Sequence, residues 1–157
     1  MNNIFTMHGH YHIEACDLQG NILQTWDVDN TLTKINQDVR VGLLLGSYAG
    51  NPDDLQIKYF AFGTGTSPTA ASDTQLETEI FRKQVTQLTS TGTGVVKSVV
   101  SLGALEANTT IREIGVFCGG AASDEPNSGI MLSRAPVNIE KNSNIVLNII
   151  RTDTCQI

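Results

Sequence analysis

Phe60-Ala61-Phe62-Gly63-Thr64-Gly65-Thr66-Ser67-Pro68, then Asp73-Thr74-Gln75-Leu76-Glu77-Thr78-Glu79, then Phe81-Arg82-Lys83, is the stretch on which the reading of this chain turns. Apolar residues run consecutively into Phe62, as in a strand buried on both faces. Gly, Thr, Ser and Pro then break the strand into a loop from Gly63 to Ser72. A carboxylate-rich turn follows, in which Asp73 or Thr74 can cap a single helical turn with Glu77 three residues on. The chain then resumes as an extended segment, so the stretch predicts two β-strands joined by a long loop.

Outward from this stretch the pattern stays extended. Toward the C-terminus, Phe81–Thr89, Gly94–Leu102, Thr110–Phe117, Ile130–Ile139 and Ile145–Thr152 alternate or are β-branched, separated by Gly, Ser, Asn or Pro. Toward the N-terminus, Tyr11–Cys16 and Ile22–Val28 read as a hairpin turning at Asp17–Asn21. The period changes only once. Leu32, Ile35, Val39, Leu43 and Leu44 recur at three and four residues, predicting an amphipathic helix over about 31–45, capped by Asp29 or Asn30 and ending near Gly46. The expected fold is mainly β: one domain over 1–157, an antiparallel β-sandwich of about 6–8 strands with one short helix. Residues 1–54 form its hairpin and helix, and 55–157 its sandwich core.

Composition narrows the function. The chain has 157 residues, 40% hydrophobic and 17% charged, with net charge −6. That is one globular domain whose acidic surface repels phosphate backbones. Its Lys and Arg are scattered singly except at Arg82-Lys83, so no nucleic-acid partner is expected. Residues 1–6 lack the basic and apolar regions of a signal peptide, and no apolar run is long enough for a membrane span, so no membrane partner is expected. Cys16, Cys118 and Cys155 are far apart and odd in number, which suits buried free thiols rather than disulfides or a zinc site.

No catalytic constellation emerges. There is no nucleophile-elbow sequence and no HExxH, so neither enzymatic activity nor a cofactor is expected. Gly63-Thr64-Gly65-Thr66 lacks the Lys of a phosphate cradle and reads as a tight exposed turn needing positive φ. His8, His10 and His12 fall on one face of a strand. The plainer reading is a solvated polar face; the alternative is a metal held between copies of this strand on a trimer axis. Glu77, Glu79, Arg82, Arg112 and Glu113 read as structural ion pairs, because Arg82 and Arg112 follow Phe81 and Ile111 in strands where an unpaired charge is costly.

The string resembles tail-fibre proteins of tailed bacteriophages of the tail-collar type. The elements that carry the resemblance are Phe62-Gly63-Thr64-Gly65-Thr66, Asp73 to Glu79 and Phe81-Arg82, then a second block, Thr110-Ile111-Arg112-Glu113-Ile114-Gly115-Val116-Phe117. Ile130-Met131-Leu132-Ser133-Arg134 and Glu140-Lys141-Asn142-Ser143-Asn144 follow in order, so the resemblance covers roughly 56–152. It implies a structural protein of the virion, made in the host cytoplasm. The long shaft and receptor-binding tip of a full fibre have no counterpart, which favours an accessory subunit of the tail fibre or baseplate. Such a subunit would be a homo-oligomer, for example a trimer, touching tail, baseplate or capsid subunits. Gly63, Thr64, Gly65 and Thr66, and Gly119, Gly120 and Asn127, lie in the loops expected to make those contacts. The alternatives are a decoration (cement) protein on the outside of the phage head and a host-surface carbohydrate-binding module.

Overall fold

Two five-stranded antiparallel sheets face each other across a shared apolar core in the computed structural model, which describes residues 6–156. Residues 1–5, read above for a targeting signal, lie outside the described residues. The first sheet is ordered β2 (Ile22–Asp29), β1 (Thr6–Cys16), β10 (Val146–Gln156), β7 (Val95–Leu102), β6 (Gln87–Gly92). The second is ordered β3 (Thr31–Leu32), β9 (Ile130–Glu140), β8 (Thr110–Cys118), β4 (Ile57–Gly63), β5 (Glu79–Gln84). The result is an open sandwich of two sheets rather than a closed barrel.

Period-two alternation builds the interface between the sheets. Tyr11 and Ile13 of β1, Val100 and Leu102 of β7, and Leu147 and Ile149 of β10 point inward from one sheet. Phe60 and Phe62 of β4, Ile111, Ile114 and Val116 of β8, and Ile139 of β9 meet them from the other. The second sheet also buries part of its outer face, where Ala61, Phe117 and Met131 pack under Leu76 from the long loop. That double burial is why Tyr59–Phe62 of β4 and Ile114–Cys118 of β8 read as consecutive apolar runs.

Four expectations need correction. The described residues form ten strands rather than about 6–8, because short β3 adds to one sheet edge and the segment 81–89 divides between the sheets. The helix, α1, spans Lys34–Leu45 and not 31–45. Thr31 and Leu32 instead pair with Arg134 and Ser133, because the edge of β9 offers them ladder partners. The cap is therefore Thr33, whose Oγ1 accepts from the Asn36 N–H at 3.4 Å and donates to the Met131 carbonyl. Gly46 ends the helix at φ +65°. Only Asn36 and Val39 of α1 are buried, while Leu44 and Leu45 are 88% and 74% exposed, so the expected apolar face is largely uncovered.

The segment 81–89 is two strands, not one. The Val85 N–H donates to the Lys58 carbonyl in the second sheet, and the next residue, Thr86, donates to Val99 in the first. The chain crosses between sheets at that peptide with no turn residue to mark it. Lastly, residues 73–78 form no helical turn. Asp73 accepts from the Ala70 N–H at 2.9 Å and Glu77 from the Ser67 N–H at 2.8 Å, so both carboxylates satisfy loop backbone instead.

Candidate functional site

Gly63 to Glu79 lies folded against the outer face of β4 and β8, and one carboxylate holds it there. Glu113 points outward from β8 and is 1% exposed. It accepts the backbone N–H groups of Gly65 at 3.0 Å, Glu77 at 3.1 Å and Thr78 at 2.8 Å. Arg134 of β9 completes the site, with Nε donating to Glu113 at 2.8 Å and Nη1 to Asp73 at 3.0 Å. Its Nη2 reaches the Ser67 carbonyl at 3.2 Å. Burial pulls the Arg134 guanidinium down, but its bonds to Asp73 and Glu113 outweigh this and raise it. A buried carboxylate with four donors is a satisfied one.

The glycines of the quoted blocks make room for this arrangement. A Cβ on Gly63 would collide with Glu113 and, at 2.5 Å, with the Thr78 carbonyl. One on Gly65 would strike the Glu77 side chain and Glu113 Oε1. One on Gly115 would come within 2.9 Å of Leu76 Cδ2. Neither Gly63 nor Gly65 has positive φ, and both are buried, so the expected exposed tight turn is corrected to close approach. The two sequence blocks are thus two halves of one contact: the second supplies the acceptor and the gap that seat the loop of the first.

A second ion pair braces the neighbouring loop. Arg82 is bidentate to Glu79 at 2.6 and 2.9 Å, with both side chains at most 3% exposed. Arg82 Nη1 also donates to the carbonyls of Ser123 and Ser128 at 3.0 and 3.1 Å, and the guanidinium carbon stands 4.5 Å from the Phe117 ring centroid. Glu79 accepts the Asn127 N–H at 2.9 Å. Asn127 has φ +58°, a left-handed geometry that Asn tolerates. Gly119 turns at φ +93° against Asp54, and Gly120 is exposed with open space around it. Thr64 is half-buried and Thr66 exposed.

Of the expected ion-pair residues, Glu79 and Arg82 meet each other, Glu77 lies 3.8 Å from Arg134, and Glu113 takes Arg134. Arg112 is corrected: it is exposed and, among the described residues, forms no ion pair. It alternates away from the core between Ile111 and the outward Glu113 at an irregular register between β8 and β9. The ion-pair roles of Arg134 and Asp73 do not follow from the sequence pattern, and the cluster inside the core is not among the expected pairs either. There Arg151, fully buried, is bidentate to Asp153 at 2.8 and 2.6 Å and donates to Tyr11 Oη at 3.0 Å and to Ser133 Oγ. The signal was present: Arg151 and Asp153 share the phase of Leu147 and Ile149 in β10.

His8, His10 and His12 lie side by side on the outer face of β1, opposite two aspartates of β2. His10 pairs in register with Asp29, and His12 with Asp27. Asp29 Oδ1 is 2.9 Å from His10 Nδ1 and 3.2 Å from His8 Nε2. Asp27 Oδ1 is 3.1 Å from His10 Nε2 and 3.0 Å from His12 Nδ1, and His12 Nε2 lies 3.4 Å from Glu14. Imidazoles and carboxylates thus alternate along one strip. Its hydrogen bonds raise His10, chiefly through Asp29, and His12, chiefly through Asp27, and they hold both aspartates below the usual carboxylate range.

No protein-family model, curated protein or solved structure matches this chain. Among the described residues, no helix is long and apolar enough to cross a membrane.

Proposed function

We propose that this chain is a structural subunit of a tailed-phage virion, an oligomeric accessory of the tail fibre or baseplate. The observation that carries the reading is the pair of loops, 63–79 and 119–129, whose backbones are braced by buried ion pairs through Glu113–Arg134 and Glu79–Arg82. A loop held by its backbone keeps its exposed side chains in one arrangement, so docking costs less ordering entropy. Thr66, Ser67 and Pro68 of the first loop and Asp124, Glu125 and Pro126 of the second are among the exposed residues so presented. The uncovered apolar end of α1, Val41, Leu44 and Leu45, adds surface of the kind that subunit contacts cover.

Light scattering on the purified chain, together with its copy number per particle by quantitative mass spectrometry, tests the proposal. An oligomer present at a few to a dozen copies supports a tail or baseplate part. Hundreds of copies would make it a decoration protein of the head, and a monomer absent from particles would overturn both.

A carbohydrate-binding module is the second reading, and one groove favours it. This open depression of about 430 Å³ is lined by half-buried Trp26 with Gln24, Asn138, Glu140 and Asn142. An aromatic face beside amide and carboxylate groups suits a sugar ring. Glycan-array binding that Trp26→Ala abolishes would establish it.

A further inference from the structure

We propose that His8, His10 and Asp29 form a divalent transition-metal site within a single chain. Their three donor atoms lie within 4.8 Å of one another. Zinc-type cations sit about 2.0–2.2 Å from imidazole nitrogen and carboxylate oxygen, so neighbouring ligand atoms are roughly 3–3.5 Å apart. Asp29 Oδ1 is already 2.9 Å from one imidazole nitrogen and 3.2 Å from the other. The strand pairing imposes this spacing: His10 faces Asp29 directly across the ladder, and His8 follows on the same face of β1 two residues away.

A separate contact prepares the site. His10 uses Nδ1 toward Asp29 and Nε2 toward Asp27, 3.1 Å away. A histidine that ligates through one nitrogen ordinarily donates its other N–H to a carboxylate, which orients the ring and makes it a better ligand. Asp27 is in turn held by His12 Nδ1 at 3.0 Å. His8 and Asp29 are 64% and 68% exposed, so water, or a donor from a neighbouring molecule, completes the coordination. Two imidazoles and one carboxylate favour zinc, nickel or cobalt over magnesium or calcium, which prefer all-oxygen sites. The geometry differs from a metal on a trimer axis, because it needs one copy of β1 and its own β2. It also stands independently of the virion reading.

The test is zinc binding by calorimetry, with the visible spectrum of the cobalt(II) form as a second readout. Both use the full-length, tag-free, chelator-stripped chain at pH 7.5. The expected result is one metal per chain. His8→Ala and Asp29→Asn should each weaken binding at least tenfold and change the cobalt spectrum. Asp27→Asn should weaken it by roughly 10–100-fold by releasing His10, while His12→Ala, one contact further out, has a smaller effect. These positions are on an outer face, and circular dichroism of each variant checks the fold. No saturable binding at sub-millimolar zinc would overturn the site. So would binding unchanged in His8→Ala and Asp29→Asn, or a stoichiometry of one metal per two or three chains.

Discussion

Glu113 and Arg134 meet at 2.8 Å as diagonal neighbours across β8 and β9; the residue directly opposite Arg134 in the ladder is Gly115. The side-chain-free position leaves space for Leu76, whose Cδ2 lies 2.9 Å from where a Cβ on Gly115 would stand. Loop, strand pair and ion pair are therefore one unit, and removing any member should loosen the others.

Arg134→Ala should destabilise the chain by about 3–5 kcal/mol, because it leaves Glu113 buried without its cation. Arg112→Ala, on the exposed side of the same strand system, should stay within about 0.5 kcal/mol of the parent. Urea denaturation measures both. Limited proteolysis should show new cutting between residues 63 and 79 in Arg134→Ala alone. Equal effects for the two arginines would refute the assignment of the buried pair.

Gly63→Ala and Gly65→Ala should each cost about 1–3 kcal/mol, since the added methyl meets Glu113 and either the Thr78 carbonyl or Glu77. Gly120→Ala, with open space around it, is the control and should be near neutral. A neutral Gly63→Ala would show that the loop can lift off β8 without loss.

The histidine strip makes stability depend on pH in the metal-free protein. His10 and His12 are raised above their usual 6.5, so their contribution is complete below 6.5 and disappears as pH climbs through their raised folded values. Asp27 and Asp29 are lowered from 3.8, so theirs is present above 3.8 and lost as pH falls through the lowered values. The strip therefore stabilises most between about pH 4 and 6.5. Facing the strip from β10 are the uncharged Thr152 and Thr154, and from β1 itself Glu14, which also raises His12. Thermal melts of the chelated protein should decline from pH 6 to pH 8, and an Asp27→Asn/Asp29→Asn double variant should flatten that decline. Proton NMR titration of His10 with a midpoint below 6.5 would contradict the hydrogen bonding.

Burial pushes the Cys118 thiol up to about 12, leaving it without thiolate at neutral pH. Cys16 is also buried, whereas Cys155 is partly exposed. A thiol reagent should modify Cys155 first and reach Cys16 and Cys118 only on unfolding. Cys155→Ser should abolish the fast phase, and fast labelling of Cys118 would show that β8 opens readily.

Much of the sandwich was legible because alternation and β-branching mark strands whichever partner they find. Pairing was not legible, since it depends on contacts remote in sequence. Thr31-Leu32 continued a helical period, yet the edge of β9 took them as a strand. The crossing at Val85-Thr86 was invisible because an extended chain looks the same when its partner changes. Arg82 and Arg112 could be recognised as charges in apolar strands, with Glu113 as a candidate partner, although Arg112 proves to face solvent. Their partners could not all be named, because Arg134 and Asp73 come near the loop only when the chain folds. His8, His10 and His12 were evident as a row, but the aspartates beside them required the hairpin register.

β10, formed from the last described residues, lies inside its sheet between β1 and β7, pairing Thr6 with Gln156 and Val95 with Thr154. On the ribosome the strands on either side of that gap are made long before the one that fills it. Until β10 emerges, two backbone edges and the cavity meant for Arg151 face water together. Completion of this sheet is thus a late, long-range event, of the kind that sets slow folding rates in β proteins. A chain that stops short of β10 would hold a split sheet, with the edges of β1 and β7 free to pair with another unfinished chain.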